Sequence, residues 1–192
     1  TTIDLPLQRF VDSMWRAALP GKNGALLAMT PQGEILAYIS FPSYDPNDFV
    51  GGIDAPTYSL LANDPNRPLF DRVIQATYPP ASPWKLATAA MGLRRGLVTM
   101  DTHMRTSCNG GFQFGNRNFR CWKRDGGHGS LTLAQAIATS CDVYFYQLGL
   151  MLDRDPLLDD GASMGFGERS GVDLEREKAA GFPTVKSYIR KS

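Results

Sequence analysis

The sequence predicts an α+β fold of short elements, with helices packed on an antiparallel sheet. Two apolar runs joined by a Pro–Gly connector read as a β-hairpin, and several stretches repeat apolar residues at steps of three and four. With 19 glycines and 13 prolines in 192 residues, no element can be long. The length suits one domain, and 43% apolar residues can fill a core. Twenty basic against nineteen acidic residues leave a net charge of +1, which gives no electrostatic footprint for nucleic acid. No apolar run approaches the roughly 20 residues of a membrane-spanning helix. The opening Thr1-Thr2-Ile3-Asp4 lacks the basic start of a secretory leader.

The first helix is expected from Asp4-Leu5-Pro6 to Leu19. Leu7, Phe10, Val11, Met14 and Ala18 form its apolar stripe, and Pro20-Gly21 stops it. The hairpin follows, Ala25–Met29 and Glu34–Ile39 around Thr30-Pro31-Gln32-Gly33, with strands apolar enough for burial on both faces. From Phe41 to Pro80 the chain reads as a long proline-rich loop, a length that usually has a function. A helix is expected to start at Ser82-Pro83, with Leu86, Ala89, Ala90 and Leu93 facing inward and Gly96 ending it. Residues 102–129 read as irregular or a small hairpin. Residues 130–138 and Val143–Leu152 read as helices, and after Asp153 the chain turns polar and glycine-rich, with a basic tail from Lys186 to Ser192. Tyr144, Phe145 and Tyr146 cannot share one helix face, so at least one of them belongs to the core.

Two constellations carry chemistry. Ser82-Pro83-Trp84-Lys85 is an S-x-x-K tetrad at a helix start, which brings serine and lysine to one face. As N-cap, Ser82 would project beside unpaired backbone N–H groups able to hold an oxyanion. Lys85, a cation in the first turn, opposes the helix dipole, which favours its neutral, basic form. The second constellation is Cys108, Cys121, His128 and Cys141. Zinc takes four tetrahedral ligands, and three cysteines with one histidine are a standard structural set, although no pair shows the short spacing of a zinc finger. A Cys108–Cys121 disulfide, leaving Cys141 free, and three reduced buried thiols are the alternatives. The basic and aromatic residues of Arg117–Arg120 and Trp122-Lys123-Arg124 read as a solvated hairpin.

The run Tyr78-Pro79-Pro80-Ala81-Ser82-Pro83-Trp84-Lys85 resembles the active-site serine motif of the penicillin-binding transpeptidases. Pro42-Ser43-Tyr44-Asp45-Pro46-Asn47, Ser140-Cys141-Asp142 with Phe145-Tyr146, and Gly171-Val172-Asp173-Leu174-Glu175 are similar to further stretches of that family, in the same order. The likeness is greatest to its class B, cell-elongation branch. It implies an incomplete penicillin-binding or serine β-lactamase-like transpeptidase fold. Ser82 would be the acylated nucleophile, Lys85 its general base, and Ser140 and Asp142 the second motif, with Asp in the commoner Asn position. Residues 1–192 would be the serine-bearing part of a transpeptidase domain, with 102–142 a zinc-binding subregion.

The family's third motif, Lys-Thr/Ser-Gly, follows none of the lysines, and Lys191-Ser192 has no strand before it. The resemblance therefore implies that this motif, a pedestal domain and a membrane anchor lie outside the chain, and that the piece alone is inactive. It further implies a D,D-transpeptidase of cell-wall biogenesis and cell shape, an antibiotic target at the periplasmic face of the inner membrane. Peptidoglycan stem peptides would be its substrates, β-lactam antibiotics its acylating inhibitors, and a membrane glycosyltransferase of the elongation machinery its partner. In related elongation-type enzymes the four Cys/His positions look ligand-competent, which favours zinc. A non-catalytic, zinc-stabilised penicillin-binding or sensor module on the same fold is the alternative. A β-lactamase is a third option, but no motif here supplies a deacylating base.

Overall fold

The computed structural model describes residues 1–184, so the basic tail from Lys186 and the Lys191-Ser192 pair fall outside the described residues. The chain forms two compact units. The first comprises Thr1–Thr77 with Val172–Lys178, and the second comprises Tyr78–Gly171 with the described residues from Ala179. Both are built of helices and small antiparallel sheets, so the α+β expectation holds.

In the first unit, helix α1 (Leu5–Ala18) begins where Asp4 accepts a hydrogen bond from the Leu7 N–H at 2.9 Å, with Pro6 in its first turn. Strands β1 (Gly24–Met29) and β2 (Ile35–Phe41) pair antiparallel, Leu26 opposite Ile39. Gln8 bonds both the C=O and the N–H of Tyr38 at 2.8 and 2.7 Å, while Trp15 stacks on Phe41 with ring centres 5.4 Å apart. This corrects the expected stripe. Phe10 and Met14 are exposed, because the residues meeting β2 are Gln8 and Trp15. The sheet is likewise not buried on both faces. β1 alternates between half-buried and exposed, and β2 buries only Ala37, Ile39 and Phe41, since within this unit a single helix covers a two-stranded sheet.

The Phe41–Pro80 stretch is not a structureless loop. It contains a 3₁₀ turn (Pro46–Phe49) and helix α2 (Ala55–Asn63). Asp54 caps α2 by accepting from the Thr57 N–H at 2.9 Å, and Pro56 occupies its first turn.

The second unit is organised by helices α3 (Trp84–Arg94) and α5 (Asp142–Leu152), with the short α4 (Leu133–Ala138) beside them. Met91, Leu133, Val143 and Leu148 are fully buried. Gly92 allows the close approach of α3 to α5, since a Cβ there would lie 2.9 Å from Leu148 Cδ1. α4 starts in a capping box between Thr132 and Gln135. Strands β3 (Gly111–Phe114) and β4 (Arg117–Arg120) form the small hairpin that the glycine-rich stretch allowed. Of the aromatic triplet, Tyr144 and Phe145 are buried, while Tyr146 reaches the Arg120 carbonyl at 3.1 Å.

Two expectations fail in this unit. The buried face of α3 is Thr88, Ala89, Met91 and Gly92, whereas Leu86, Ala90 and Leu93 are exposed, because the helix turns its 88–92 side towards α5. The polar stretch after Asp153 contains helix α6 (Arg154–Ser163), tied to the end of α3 by a two-pronged Arg95–Asp160 ion pair at 2.6 and 2.9 Å. Arg95 holds the Asp160 carboxyl below its usual pKa.

Candidate active site and metal cluster

Ser82 lies in the turn before α3 and is not its N-cap, which corrects the expected cap geometry. The N–H groups of Trp84, Lys85 and Leu86 are taken by the carbonyls of Ala81, Ser82 and Pro83 at 3.0, 3.0 and 3.1 Å. The unpaired first-turn donors expected beside the hydroxyl are therefore occupied. The preceding Ala81 adopts φ +50°, a left-handed conformation that costs a non-glycine residue about 1–2 kcal/mol. Ser82, the next residue, is exposed.

Ser140 is also left-handed, at φ +51° between α4 and α5. Its hydroxyl donates to Ser82 Oγ at 3.1 Å and accepts from Lys85 Nζ at 3.0 Å. Lys85 Nζ also donates to the Ser140 carbonyl at 2.8 Å and to Asp142 Oδ1 at 2.5 Å. Ser82, Lys85, Ser140 and Asp142 are thus one hydrogen-bonded group, drawn from segments more than 50 residues apart.

The electrostatics are coherent. Lys85 and Asp142 both sit in the first turns of their helices, where the dipole favours the carboxylate and opposes the ammonium. Pairing them offsets the unfavourable one, and with side chains only 14% and 22% exposed the pair is shielded from water.

Cys108, Cys121, His128 and Cys141 also converge, their ligand atoms all within 4.8 Å of one another. The three cysteines are buried and free, so the structure contains no Cys108–Cys121 disulfide. Cys108 and Gly129 exchange backbone hydrogen bonds at 2.8 and 2.9 Å, which brings the Cys108 and His128 segments together. His128 Nδ1 faces the sulfurs of Cys121 and Cys108 at 3.5 and 3.6 Å. Zinc bonds of about 2.3 Å to sulfur and about 2.0–2.1 Å to nitrogen, at a tetrahedral angle, place N and S about 3.5–3.6 Å apart. The donor set, and the distances of His128 Nδ1 from these two sulfurs, fit that ion.

Burial, then the Lys123 and Lys85 charges, hold the His128 imidazole below its usual pKa, against the opposing pull of Asp142. Burial pushes the Cys141 thiol up to about 12. For Cys108 burial works upward too, but hydrogen bonds from Gly110, His128, Cys141 and Cys121 outweigh it and leave the thiol below its usual value.

Glycines make this close approach feasible. At Gly127, φ +60°, a Cβ would lie 2.0 Å from the Cys108 carbonyl oxygen. Gly127→Ala is therefore expected to destabilise the cluster by about 1–3 kcal/mol, read as a lowered melting temperature. A melting curve equal to that of the unsubstituted protein would show that the segments pack differently.

The two groups share residues 140–142, since Cys141 lies between Ser140 and Asp142. Sequence reasoning missed Trp122. Its backbone N–H donates to Asp142 Oδ2 at 2.9 Å, and its indole N–H donates to the Thr139 carbonyl at 3.0 Å. Backbone donation leaves no mark on residue type, so only its place next to Cys121 could have drawn attention to it.

A turn-borne serine joined through a second serine to a lysine–aspartate pair, on a helical core, defines a serine–lysine domain of the penicillin-interacting class. The chain belongs to the transpeptidase domain family of penicillin-binding proteins, whose model, "Penicillin binding protein transpeptidase domain", matches residues 24–192. It is 36% identical over 184 residues to the peptidoglycan D,D-transpeptidase MrdA of Escherichia coli, covering 95% of this chain and 28% of that protein. Among solved structures it is similar to the penicillin-binding protein PBP2 from Helicobacter pylori, with TM-score 0.88 and 35% identity over 98% of this chain and 35% of that one. The Helicobacter protein has also been solved in complex with MreC. PBP2 of Pseudomonas aeruginosa in complex with WCK 5153 matches at TM-score 0.86 and 37% identity, covering all of this chain and 41% of that one. The chain thus spans little more than a quarter of its curated relative's length.

Proposed function

We propose that the whole protein is a peptidoglycan D,D-transpeptidase that cross-links stem peptides through an acyl-enzyme on Ser82, and that β-lactams acylate the same serine. The observation that carries this reading is the continuous contact Ser82–Ser140–Lys85, at 3.1 and 3.0 Å. For Ser82 to attack a carbonyl carbon, its proton must leave as the new C–O bond forms. With Lys85 as a neutral amine, two N–H groups still serve the Ser140 carbonyl and Asp142, and the lone pair faces Ser140 Oγ. The Ser82 proton then moves to Ser140 while the Ser140 proton moves to Lys85. Collapse of the tetrahedral intermediate returns a proton along this path to the departing amine, leaving the acyl-serine. The Ser82 N–H, without a hydrogen-bond partner among the described residues, suits the developing oxyanion.

Attack by the amine of a second stem peptide would complete the cross-link and regenerate Ser82. A non-catalytic module would gain nothing from two left-handed residues that hold these hydroxyls together, so the enzyme reading is preferred. One structural zinc on Cys108, Cys121, His128 and Cys141 would tie the 102–129 segment to the turn bearing Ser140. The family resemblance of the sequence would place the whole protein at the periplasmic face of the inner membrane, working with a membrane glycosyltransferase of the elongation machinery, and a related PBP2 has been solved with MreC. Among the described residues no helix is long and apolar enough to cross a membrane.

The test is peptide mapping after incubation of the full-length protein with a labelled penicillin. The adduct is expected on the peptide containing Ser82, at one per chain. Its absence, or its location on another residue, would overturn the reading.

A further inference from the structure

Between the cysteine cluster and the lysine–aspartate pair, Trp122 makes contacts that the proposed chemistry does not itself use. We propose that Trp122 is a positioning residue for acyl transfer, which brackets the Thr139–Asp142 turn and so sets the hydroxyl of Ser140 between Ser82 and Lys85. The inference rests on the acyl-enzyme reading of Ser82.

Three observations carry it. The turn is held from both ends by one residue, the indole N–H on the Thr139 carbonyl and the backbone N–H on Asp142 Oδ2. Thr139 closes α4, where the last carbonyls have no partner within the helix, so the indole fills a vacant acceptor. Within the bracket, Ser140 sits at φ +51°, a conformation that persists only where surrounding contacts hold it. Asp142 then has both carboxylate oxygens engaged, Oδ1 by Lys85 and Oδ2 by Trp122, so its plane is set against rotation.

Trp122 is itself immobilised. Its ring meets His128 edge-on with centres 5.1 Å apart, and the preceding Cys121 N–H bonds the Gly110 carbonyl at 2.9 Å. Yet it is 63% exposed, far more than a tryptophan kept for core packing. An exposed tryptophan whose indole and backbone N–H groups are both spent on one turn is suited to orientation rather than to bulk stability.

The experiment compares Trp122→Ala and Trp122→Phe with the unsubstituted full-length protein, and with Arg124→Ala as a control on the same loop. Penicillin acylation is resolved into initial binding and the acylation rate constant, beside melting temperature and metal content. Trp122→Ala is expected to lower the acylation rate constant on the order of 10–100-fold, with initial binding, melting temperature and metal content unchanged. Trp122→Phe, which keeps the ring against His128 but loses the indole donor, should fall between the two. Arg124→Ala should match the unsubstituted protein. Normal acylation of the unsubstituted protein with an unaltered rate in Trp122→Ala would overturn this inference alone. So would a rate loss that tracks a fall in melting temperature or metal content, since that marks a merely structural role. Failure of the unsubstituted protein to acylate at Ser82 would overturn the acyl-enzyme reading beneath it.

Discussion

Lys85→Arg is expected to abolish β-lactam acylation as thoroughly as Lys85→Ala, by on the order of 10²–10⁴-fold, although it keeps the positive charge. The two substitutions separate the roles that Lys85 combines. As a cation it bonds Asp142 and the Ser140 carbonyl and neutralises a partly buried carboxylate. As a base it must shed a proton before it can accept another, which a guanidinium cannot do. Arginine therefore preserves the ion pair and loses the chemistry. Alanine loses both, and leaves Asp142 with only the Trp122 N–H as partner, so a melting-temperature drop is expected for it that arginine largely spares. Lys85 thus contributes to stability as well as to chemistry, because its ion pair joins the first turns of two helices. Stopped-flow acylation with a chromogenic cephalosporin is the measurement. A Lys85→Arg protein that acylates within about tenfold of the unsubstituted rate would remove the lysine from the base role.

The second large effect concerns metal. Protein purified without added metal is expected to carry one zinc per chain, with Zn–S about 2.3 Å and Zn–N about 2.0–2.1 Å by X-ray absorption. An ion that binds only the folded state, at a thousand times its dissociation constant, stabilises by about 4 kcal/mol. For a chain of this size chelation should then lower the melting temperature by about 8–16 °C. Cys121→Ser should reproduce the loss without chelator. Hydrogen exchange after chelation is expected to rise across residues 102–142, including the turn of Ser140 and Asp142. The Ser82 turn should change less, because it leads into α3 and is held by its own local hydrogen bonds. Zinc content near zero, or a Cys108–Cys121 disulfide in the mass map, would end the metal assignment.

Much of the local structure was legible because its causes are local. Asp4 three residues before the Leu7 N–H, and Pro31-Gln32-Gly33 between two apolar runs, act through neighbours in sequence. The missed helices α2 and α6 carried the same kinds of signal, Asp54 before Pro56 and Asp153 before Pro156. Both are short and neither carries a regular apolar stripe, so capping chemistry is their only mark in the sequence. The inward face of α3 departs from the sequence expectation for a different reason. Leu86, Ala90 and Leu93 are apolar enough to be core, but which side of a mostly apolar helix is buried depends on where α5 lies.

Sequence alone determined which residues this protein could use: a serine and a lysine three apart, a Ser-x-Asp turn, and four ligand-competent side chains within one short window. The spacing of such motifs is a one-dimensional property. Their junction is not. The 3.1 Å approach of Ser140 to Ser82, the carboxylate shared by Lys85 and Trp122, and the gathering of three thiols around His128 were decided by tertiary structure. They depend on how closely α5 packs on α3 and on two residues held at positive φ. Neither alanine nor serine prefers such a backbone by itself, so at Ala81 and Ser140 the conformation exists only because contacts distant in sequence stabilise it.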